Sequence, residues 1–344
     1  MAIAVVAMVA LAGCFHGGDD GEANLLGEVQ ERGTLRCGVN DTVPGFGFVT
    51  AGGEYQGFDI DFCRAVAAGV LGDADAVEYS PLTAEQRFTA LQAREVDVLI
   101  RNTTWTSSRD GSEGATFLTT TFYDGQGMMV RADSAYQELE DMGGTTICVL
   151  SGTTTELNLE SQFRARQIQY TPLSFEDNDT LQPAFQQRRC DGWTSDKSQL
   201  AGIRSNWPQG QGGPDGLRIL DVTMSKEPLG PVVPDGQEDW ADVVNWTVIA
   251  TIQAEEFGIT SANVEQMKGS DDPEIQRFLG QPVEGEAFDP GLGLDVDFAA
   301  TVIGAVGNYG EIYDRNVGES GLGLERGINA LWTEGGLLYP PPYR

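Results

Sequence analysis

The stretch VDVLIRNTTWTSSR, residues 96–109, places an apolar strand directly before a cluster of polar and cationic side chains. Residues 96–100 have the β-branched and aliphatic character of a buried parallel strand. In open α/β sheets, ligands bind beyond the carboxyl ends of such strands. Arg109 can offer a charged, two-pronged donor there, and Asn102 and Thr104 can add neutral hydrogen bonds. The cluster is suited to holding a small carboxylate, although an isolated arginine is more often a solvated surface charge.

Strands and helices alternate on both sides of this stretch. Before it, strands that begin near residues 34 and 77 alternate with helices that begin near residues 57 and 83. After it, a strand over 146–150 begins a second unit of the same kind. Such alternation predicts parallel sheets wrapped by helices, and therefore an α/β protein.

The second unit carries its own candidate anion site. The strand over 146–150 runs into SGTTTE at 151–156, where Thr153 and Glu156 match a capping box. The free backbone amides at the start of a helix attract an anion. This helix start is therefore a second candidate for contact with a carboxylate.

Length and charge restrict the classes of protein and partner. The 344 residues suffice for two domains of ordinary size. There are 52 acidic and 21 basic residues, which give a formal net charge of -31. An acidic surface of this kind repels phosphate, so we expect no nucleic-acid partner. An acidic, lysine-poor composition is also typical of solubility at high ionic strength.

The amino terminus has the pattern of an export signal. The first 13 residues are almost entirely apolar, and Cys14 and a polar segment follow them. This run is too short to span a bilayer, and LAGC at 11–14 resembles the bacterial lipobox, in which the cysteine carries lipid. We expect a signal peptide over 1–13, a lipidated Cys14 and a flexible tether over 14–32, with the protein held outside the cytoplasmic membrane. The alternative is a secretory signal with an incidental cysteine.

The remaining four cysteines are candidates for disulfides, because an exported chain meets oxidising conditions. Cys148 lies in the predicted strand and Cys190 opens another apolar run, so they could bridge two strand ends. Cys37 and Cys63 could bridge the first strand and the first helix. Four cysteines allow three connectivities, and the alternative is that all four are small buried apolar side chains.

Six motifs follow one another along the chain: GFDIDF at 57–62, VDVLIRNTTWT at 96–106, SGTT at 151–154, KEPLGP at 226–231, VGNYGE at 306–311 and ALWTEGGL at 330–337. Together they resemble the general L-amino acid-binding proteins of polar amino acid ABC importers, in family 3 of the periplasmic solute-binding proteins. The resemblance extends from Gly33 to Arg344.

The resemblance implies a periplasmic-binding-protein fold. In this fold two α/β lobes with mainly parallel sheets are joined by a two-strand hinge and close over one ligand. The implied boundaries are 33–128 for the first segment of lobe 1 and 129–225 for lobe 2. Residues 226–344 are expected to return to lobe 1 and to add a helical extension.

The resemblance also implies roles for individual residues. Asp196 matches the aspartate that accepts the ligand's α-ammonium group. A zwitterion needs an arginine and a carboxylate fixed a few ångströms apart in a cleft that excludes water. The residues that match contacts to the α-carboxylate are Arg109, Asn102 and Thr104 in the first lobe and Thr153 and Thr154 in the second.

The pocket for the ligand's side chain is less closely defined. Asn40 stands where similar binders of basic amino acids often have an acid, which favours a broad preference. For Phe46 and Phe48 the alternative is packing in the core. Arg101 is left without a role. The candidates for this pocket are Asn40, Asp41, Phe46, Phe48 and Trp105.

The resemblance implies that the chain, as a monomer, captures polar L-amino acids outside the membrane and delivers them to the permease of an ABC importer. The alternative is an enzyme on the same fold, which acts like a dehydratase on an amino acid or a prephenate-type carboxylate. No catalytic residue, cofactor or metal site is predicted. The sole histidine, His16, lies in the predicted tether, and no cysteine pair has zinc-finger spacing.

Overall fold

The computed structural model describes residues 24–283 and 285–344. The predicted signal peptide, Cys14 and the first part of the predicted tether lie outside the described residues. Within the described ranges, no helix is both long enough and apolar enough to cross a lipid bilayer.

The first segment of the chain builds most of lobe 1. The strands and helices predicted around residues 34–100 are all present, which confirms the alternating pattern. The elements of this segment are α1 Leu25–Arg32, β1 Leu35–Val39, β2 Thr42–Val43, β3 Gly47–Val49, β4 Tyr55–Gln56, α2 Phe58–Leu71, β5 Val77–Pro81, α3 Arg87–Gln92, β6 Val98–Leu99, α4 Ser107–Ser112, β7 Ala115–Phe117 and β8 Phe122–Asp124.

The second segment forms lobe 2, and the third returns to lobe 1. The elements of lobe 2 are β9 Gln126–Arg131, β10 Thr146–Leu150, α5 Thr154–Ala165, β11 Thr171–Phe175, α6 Asn178–Gln186, β12 Gly192–Asp196, α7 Lys197–Ser205 and β13 Leu217–Ile219. The elements of the return are β14 Glu227–Leu229, β15 Val232–Pro234, α8 Glu238–Glu256, α9 Val264–Met267, α10 Pro273–Phe278, α11 Phe298–Val306 and α12 Tyr309–Asn316.

Both lobes share one sheet plan. In lobe 1 the order is β5-β1-β6-β15-β7, with β1 parallel to β5 and β6 and with β15 antiparallel to its neighbours. In lobe 2 the order is β11-β10-β12-β9-β13, with β10 parallel to β11 and β12 and with β9 antiparallel. The two lobes therefore form the periplasmic-binding-protein-like fold that the sequence predicts.

A two-stranded ribbon joins the lobes. The chain leaves lobe 1 through β8 and comes back through β14, and these strands pair antiparallel with Asp124 opposite Glu227. A ribbon of three residue pairs is too short to fix two lobes rigidly, so it is suited to act as a hinge. The predicted two-strand hinge is thus present.

The core of lobe 1 is centred on α2. This helix begins after Gly57 and ends at Gly72, whose φ of 72° lies in the left-handed region that glycine adopts easily. It is buried on nearly all sides because β1 packs on one face and α8 and α11 pack on the others. This arrangement fixes the carboxyl ends of the strands, where ligands bind in α/β sheets.

Helix α1 differs from the prediction. The predicted tether extended to residue 32, but residues 25–32 form a helix capped by the side chain of Asn24. Leu25 and Val29 are fully buried in the core of lobe 1, and the Leu25 amide donates to the Gln237 side chain at 3.0 Å. The prediction of a flexible tether is therefore wrong for these residues, because their apolar side chains pack on lobe 1.

Each lobe contains one disulfide. Cys37 of β1 is bonded to Cys63 of α2, and Cys148 of β10 is bonded to Cys190, which lies just before β12. Both predicted pairs are confirmed. Because each bond joins elements of the same lobe, the disulfides restrain the lobes individually and leave the hinge free.

The C-terminal extension, from residue 262 onward, contacts the edge of the hinge formed by β8. The Tyr123 amide donates to Oδ1 of Asn329 at 2.7 Å, and Nδ2 of Asn329 donates to the Tyr123 carbonyl at 3.0 Å. Two residues earlier, just before β8, the Tyr309 hydroxyl donates to the Thr121 carbonyl at 2.7 Å. A buried amide side chain thus replaces a neighbouring strand at this edge.

We expect Asn329→Ala to lower the free energy of unfolding by about 2–4 kcal/mol, because a buried donor and a buried acceptor of Tyr123 lose their partners. Denaturant unfolding measures this loss. Asn263→Ala is the matched control, because Asn263 also accepts from one backbone amide and donates to one carbonyl, but within its own turn. We expect it to cost about 1 kcal/mol or less. Equal losses in the two variants would contradict a special role for Asn329.

Candidate ligand-binding site

A cavity lies between the lobes at the carboxyl ends of β1, β6, β10 and β12. This is the edge at which open α/β sheets bind ligands. Its lining combines cationic, acidic and neutral polar side chains. The polar residues of the lining are Asn40, Arg87, Arg101, Asn102, Thr104 and Arg109 in lobe 1 and Thr153, Thr154, Thr155, Asn178, Ser195, Asp196 and Gln199 in lobe 2.

The lobes touch across the cavity, so the structure represents a closed conformation. Nδ2 of Asn102 donates to Oδ2 of Asp196 at 3.3 Å. The hydroxyl oxygens of Thr104 and Thr154 lie 3.5 Å apart. Residues from both lobes therefore surround the cavity, and the chain passes between these lobes through the hinge.

Arg109 is placed by the short helix α4. The Thr106 hydroxyl caps this helix by accepting from the Arg109 amide at 3.3 Å. The guanidinium donates through Nη1 to the Thr104 carbonyl at 3.0 Å and lies 5.6 Å from the centre of the Phe88 ring. Burial lowers the pKa of Arg109, which nevertheless remains positively charged at neutral pH. Its remaining N–H groups are available for an anion in the cavity.

The start of α5 supplies the second lobe's contact. Thr153 caps the helix by accepting from the Glu156 amide at 3.1 Å, while Glu156 accepts from the Gly152 amide rather than from Thr153. The Thr154 hydroxyl donates to Glu227 of the hinge at 2.8 Å. Because both hydroxyls have protein partners, the first backbone amides of α5 are the groups best placed to contact an anion.

Among the described residues, Asp196 is the only acidic side chain that lines the cavity. Its Oδ2 accepts from Asn102, whereas its Oδ1 is buried without a hydrogen-bond partner in the described part of the chain. Burial, followed by the charges of Asp124 and Glu227, raises its pKa well above the ordinary value. A cationic group in the cavity would give the unpaired oxygen a partner and would favour the charged carboxylate.

Asn102 occupies a strained position. Its φ of 35° is unusual for a residue other than glycine, and its amide donates to Oδ2 of Asp59 at 2.7 Å. Burial raises the pKa of the Asp59 carboxyl to about 6, although this hydrogen bond and the charge of Arg101 oppose the shift. The side chain of Asn102 contacts Asn40 and Asp196. Asn102 therefore orients Asp196 as well as lining the cavity.

Two buried arginines complete the lining. Arg101, which has no predicted role, lines the cavity and donates through Nε to the Leu82 carbonyl at 2.7 Å. Arg87 was missed in the sequence. A signal for it existed, because Thr83 and Gln86 form the reciprocal hydrogen bonds of a capping box directly before it. This turn begins α3 at Arg87, next to the cavity.

Only one of the five residues predicted for the side-chain pocket lines the cavity itself, and this is Asn40. Asp41 lies at a neighbouring opening. Phe46 belongs to the core of lobe 1, where its ring packs against Phe122 at 5.2 Å between centroids. Phe48 pairs within the small β2-β3-β4 sheet, and Trp105 is 42% exposed and stacks on Phe117. The three aromatic residues therefore lie outside the cavity, because each packs on its own lobe.

The arrangement can pair both charges of a zwitterion. Arg109 and the start of α5 face the cavity as anion-binding groups, and Asp196 faces it as an acceptor for a cation. In the described residues, no group of three histidine, cysteine, aspartate or glutamate side chains is placed to hold a metal ion. Two hinged lobes with a polar cavity between them define a two-lobe solute-binding protein.

The chain belongs to a known family of such proteins. Residues 35–261 match the model of the bacterial extracellular solute-binding proteins, family 3. The C-terminal extension from residue 262 onward, which holds the outer edge of the hinge, lies beyond the matched range.

Similar proteins cover nearly the whole chain. A general L-amino acid-binding periplasmic protein, AapJ, of Rhizobium johnstonii is 48% identical over 95% of both chains. The glutamate/glutamine/aspartate/asparagine-binding protein BztA of Rhodobacter capsulatus is 47% identical over 98% of this chain and 97% of its own. The solved structure of an ABC transporter periplasmic binding protein from Brucella ovis with glutathione bound has 47% identity and a TM-score of 0.88, and covers 94% of this chain and 100% of that one.

Closure depends on a glycine at the contact between the lobes. A Cβ atom on Gly202 of α7 would lie 2.3 Å from the Pro44 carbonyl oxygen of lobe 1. We therefore expect Gly202→Leu to hold the lobes apart, so that small-angle scattering with ligand present shows a larger radius of gyration for the variant than for the closed, ligand-bound wild type. Thermal unfolding checks that the lobes still fold.

Gly27→Leu is the matched control for this prediction. Gly27 also lies in a helix, α1, but a Cβ there would meet no heavy atom within 4 Å. We expect this variant to close like the wild type. A Gly202→Leu protein that closes to the same radius would show that the contact with Pro44 does not limit closure.

Proposed function

We propose that this solute-binding protein captures polar L-amino acids outside the cytoplasmic membrane and delivers them to the permease of an ABC importer. The unpaired Oδ1 of Asp196, across the same cavity from Arg109, is the observation that carries the proposal. Similarity to AapJ and BztA, whose names state amino-acid binding, supports it.

In the proposed complex the α-carboxylate of the ligand contacts Arg109 and the first amides of α5. The α-ammonium group donates to Oδ1 of Asp196. Asn102 and Thr104 support these contacts by orienting Asp196 and Arg109. Charge-assisted hydrogen bonds of this kind are strong where water is excluded, and the lobes exclude it when they close.

Delivery follows from the closure of the lobes. The carboxylate contacts come from both lobes, so the ligand stabilises the closed conformation more than the open one. We propose that the permease distinguishes the two conformations and accepts the ligand from the closed monomer. The ligand is released unchanged, since the polar groups of the cavity bind it and none is assigned a chemical step.

A range of polar ligands, bound with unequal affinities, fits the cavity wall. Asn40 and Gln199 are neutral amides, and the aromatic side chains predicted for this wall lie elsewhere. Amides can donate to or accept from several kinds of polar side chain. BztA, whose name gives two acidic amino acids and two amides, is a precedent for such a range.

We also propose that the protein is anchored by lipid on Cys14. The apolar run over residues 1–13 and the small residues before Cys14 support this proposal. The family is extracellular, and an anchor would keep the binding protein close to its permease. Because helix α1 packs on lobe 1, the anchor and the fold would be separated by the short segment before Asn24.

Titration calorimetry against the twenty amino acids tests the proposed function. We expect polar amino acids to bind, and Arg109→Met to raise their dissociation constants by roughly 100-fold or more, because a desolvated ion pair loses one partner. The control is Arg64→Met, because Arg64 lies on α2 outside the cavity and pairs with Asp75 on the surface. Binding by none of the twenty would refute the proposal, and equal effects of both variants would remove Arg109 from the site.

Mass spectrometry of the membrane-associated protein tests the anchor. We expect a mature chain that begins at Cys14 and carries a diacylglyceryl group on its thiol. Cys14→Ser should abolish this mass and release the protein from the membrane fraction. A mature wild-type chain that lacks lipid, or begins at another residue, would reject the anchor.

A further inference from the structure

The cavity contains more positive charge than a zwitterion can use. Three guanidinium groups line it, those of Arg87, Arg101 and Arg109, whereas Asp196 is its only acidic lining residue. A zwitterion has one carboxylate for Arg109 and one ammonium group for Asp196. Arg87 and Arg101 then remain in a closed, poorly hydrated space without a ligand group of opposite charge, which is costly.

Arg101 is buried and largely unpaired. Its side chain uses Nε to donate to Leu82, and its two terminal amino groups donate to no other described residue. It forms no ion pair within 4 Å in the described part of the chain. The nearest buried acid, Asp59, directs Oδ2 to the Asn102 amide instead. Arg101 therefore presents two unused donors to the cavity.

Arg87 is in a similar state. It is 3% exposed, and none of its guanidinium nitrogens donates to a described residue. Its Nε is fully buried without a partner. Its guanidinium lies over the face of the Phe88 ring, 5.2 Å from the ring centre. Both arginines thus have unpartnered donors on a wall that no protein carboxylate neutralises directly.

Arg101 and Arg109 border different openings of the cavity. Arg109 also lines an outer groove that contains Thr106 and Lys226, whereas Arg101 also lines an opening that contains Asp41 and Asp177. A carboxylate held by Arg109 is therefore not the one that Arg101 faces. The free donors of Arg101 require a second anionic group at the far end of the ligand.

We propose that the cavity prefers L-amino acids with a second carboxylate on the side chain, such as L-glutamate, and that Arg101 binds that second carboxylate, while Arg87 adds positive charge to the cavity. This inference rests on the proposed function, because it assigns the α-carboxylate to Arg109. The opening beyond Arg101 carries Asp41, Glu176, Asp177 and Asp179, which repel an anion that extends further. The ligand therefore ends at Arg101.

The test measures the affinity of the wild-type protein for three ligands of similar shape. Calorimetric titrations use L-glutamate, L-glutamine and the 5-methyl ester of L-glutamate, of which only the first has a charged side chain. We expect L-glutamate to bind at least tenfold more tightly than either neutral ligand. Equal affinities would overturn this inference and leave the proposed function intact, whereas binding by none of the three and by no other amino acid would refute both.

Variants test which side chain gives the cavity its preference for L-glutamate over L-glutamine. We expect Arg101→Met to reduce the ratio of the glutamate and glutamine affinities at least tenfold from its wild-type value. Arg64→Met, which makes the same change outside the cavity, should keep the wild-type ratio. A ratio that survives Arg101→Met would overturn the assignment, and this measurement stays informative even if the absolute affinities fall.

Binding of a longer ligand is a further test of the proposal. Glutathione carries a second carboxylate on a peptide extension, so it probes whether the ligand can pass Arg101. We expect it to bind more weakly than L-glutamate, because the acidic opening repels its terminal carboxylate. Glutathione that binds more tightly than L-glutamate, with an affinity insensitive to Arg101→Met, would overturn the proposal of a small dicarboxylic ligand.

Discussion

The constraint on which this structure depends is that charges buried between two lobes need partners of opposite sign. Arg109 and Asp196 face one cavity, and each leaves polar atoms without a hydrogen-bond partner in the part of the chain that the structure describes. A buried charge that lacks a partner costs several kcal/mol, so the closed conformation without ligand is held at a disadvantage. A ligand that brings the missing charges removes this disadvantage only when both lobes surround it. The same atoms therefore recognise the ligand and drive closure, which explains why they come from both lobes.

A mechanism of this kind requires that the lobes stay rigid while the hinge bends. The sheets, the core around α2 and one disulfide within each lobe provide the rigidity. The hinge is a ribbon of three residue pairs, and Asn329 and Tyr309 hold the outer edge of β8 from the C-terminal extension. Bending at β8 is thereby confined to the residues after Tyr123, close to Asp124 and Glu227. Because Thr154 of the cavity lining donates to Glu227, one side chain links the cavity and the hinge.

The sequence predicted what is local and missed what depends on the packing of distant segments. The strand within 96–100, the capping residue Thr153 and the position of Arg109 all follow from signals within a few residues, and the structure contains each of them, with the strand limited to Val98–Leu99. Phe46 and Trp105 are close in sequence to cavity residues, but their rings turn to Phe122, far along the chain, and to Phe117, in the next strand, and neither partner gives a signal in the local pattern. Arg87 was missed for the opposite reason. Its local signal marked only a helix start, and its burial depends on the cavity between the lobes.

The charge of the cavity and the charge of the whole chain have opposite signs. The chain carries a formal charge of -31, whereas three arginines and one aspartate line the cavity. The surface field therefore repels an anionic ligand at long range, and the cavity attracts it only at short range. Screening reduces the repulsion beyond about 8 Å at physiological ionic strength, but it acts much less on groups inside a closed cavity. Salt thus weakens the long-range repulsion between the acidic surface and an approaching anion, and it largely preserves the attraction inside the cavity. An acidic surface and a cationic cavity are therefore compatible in one protein.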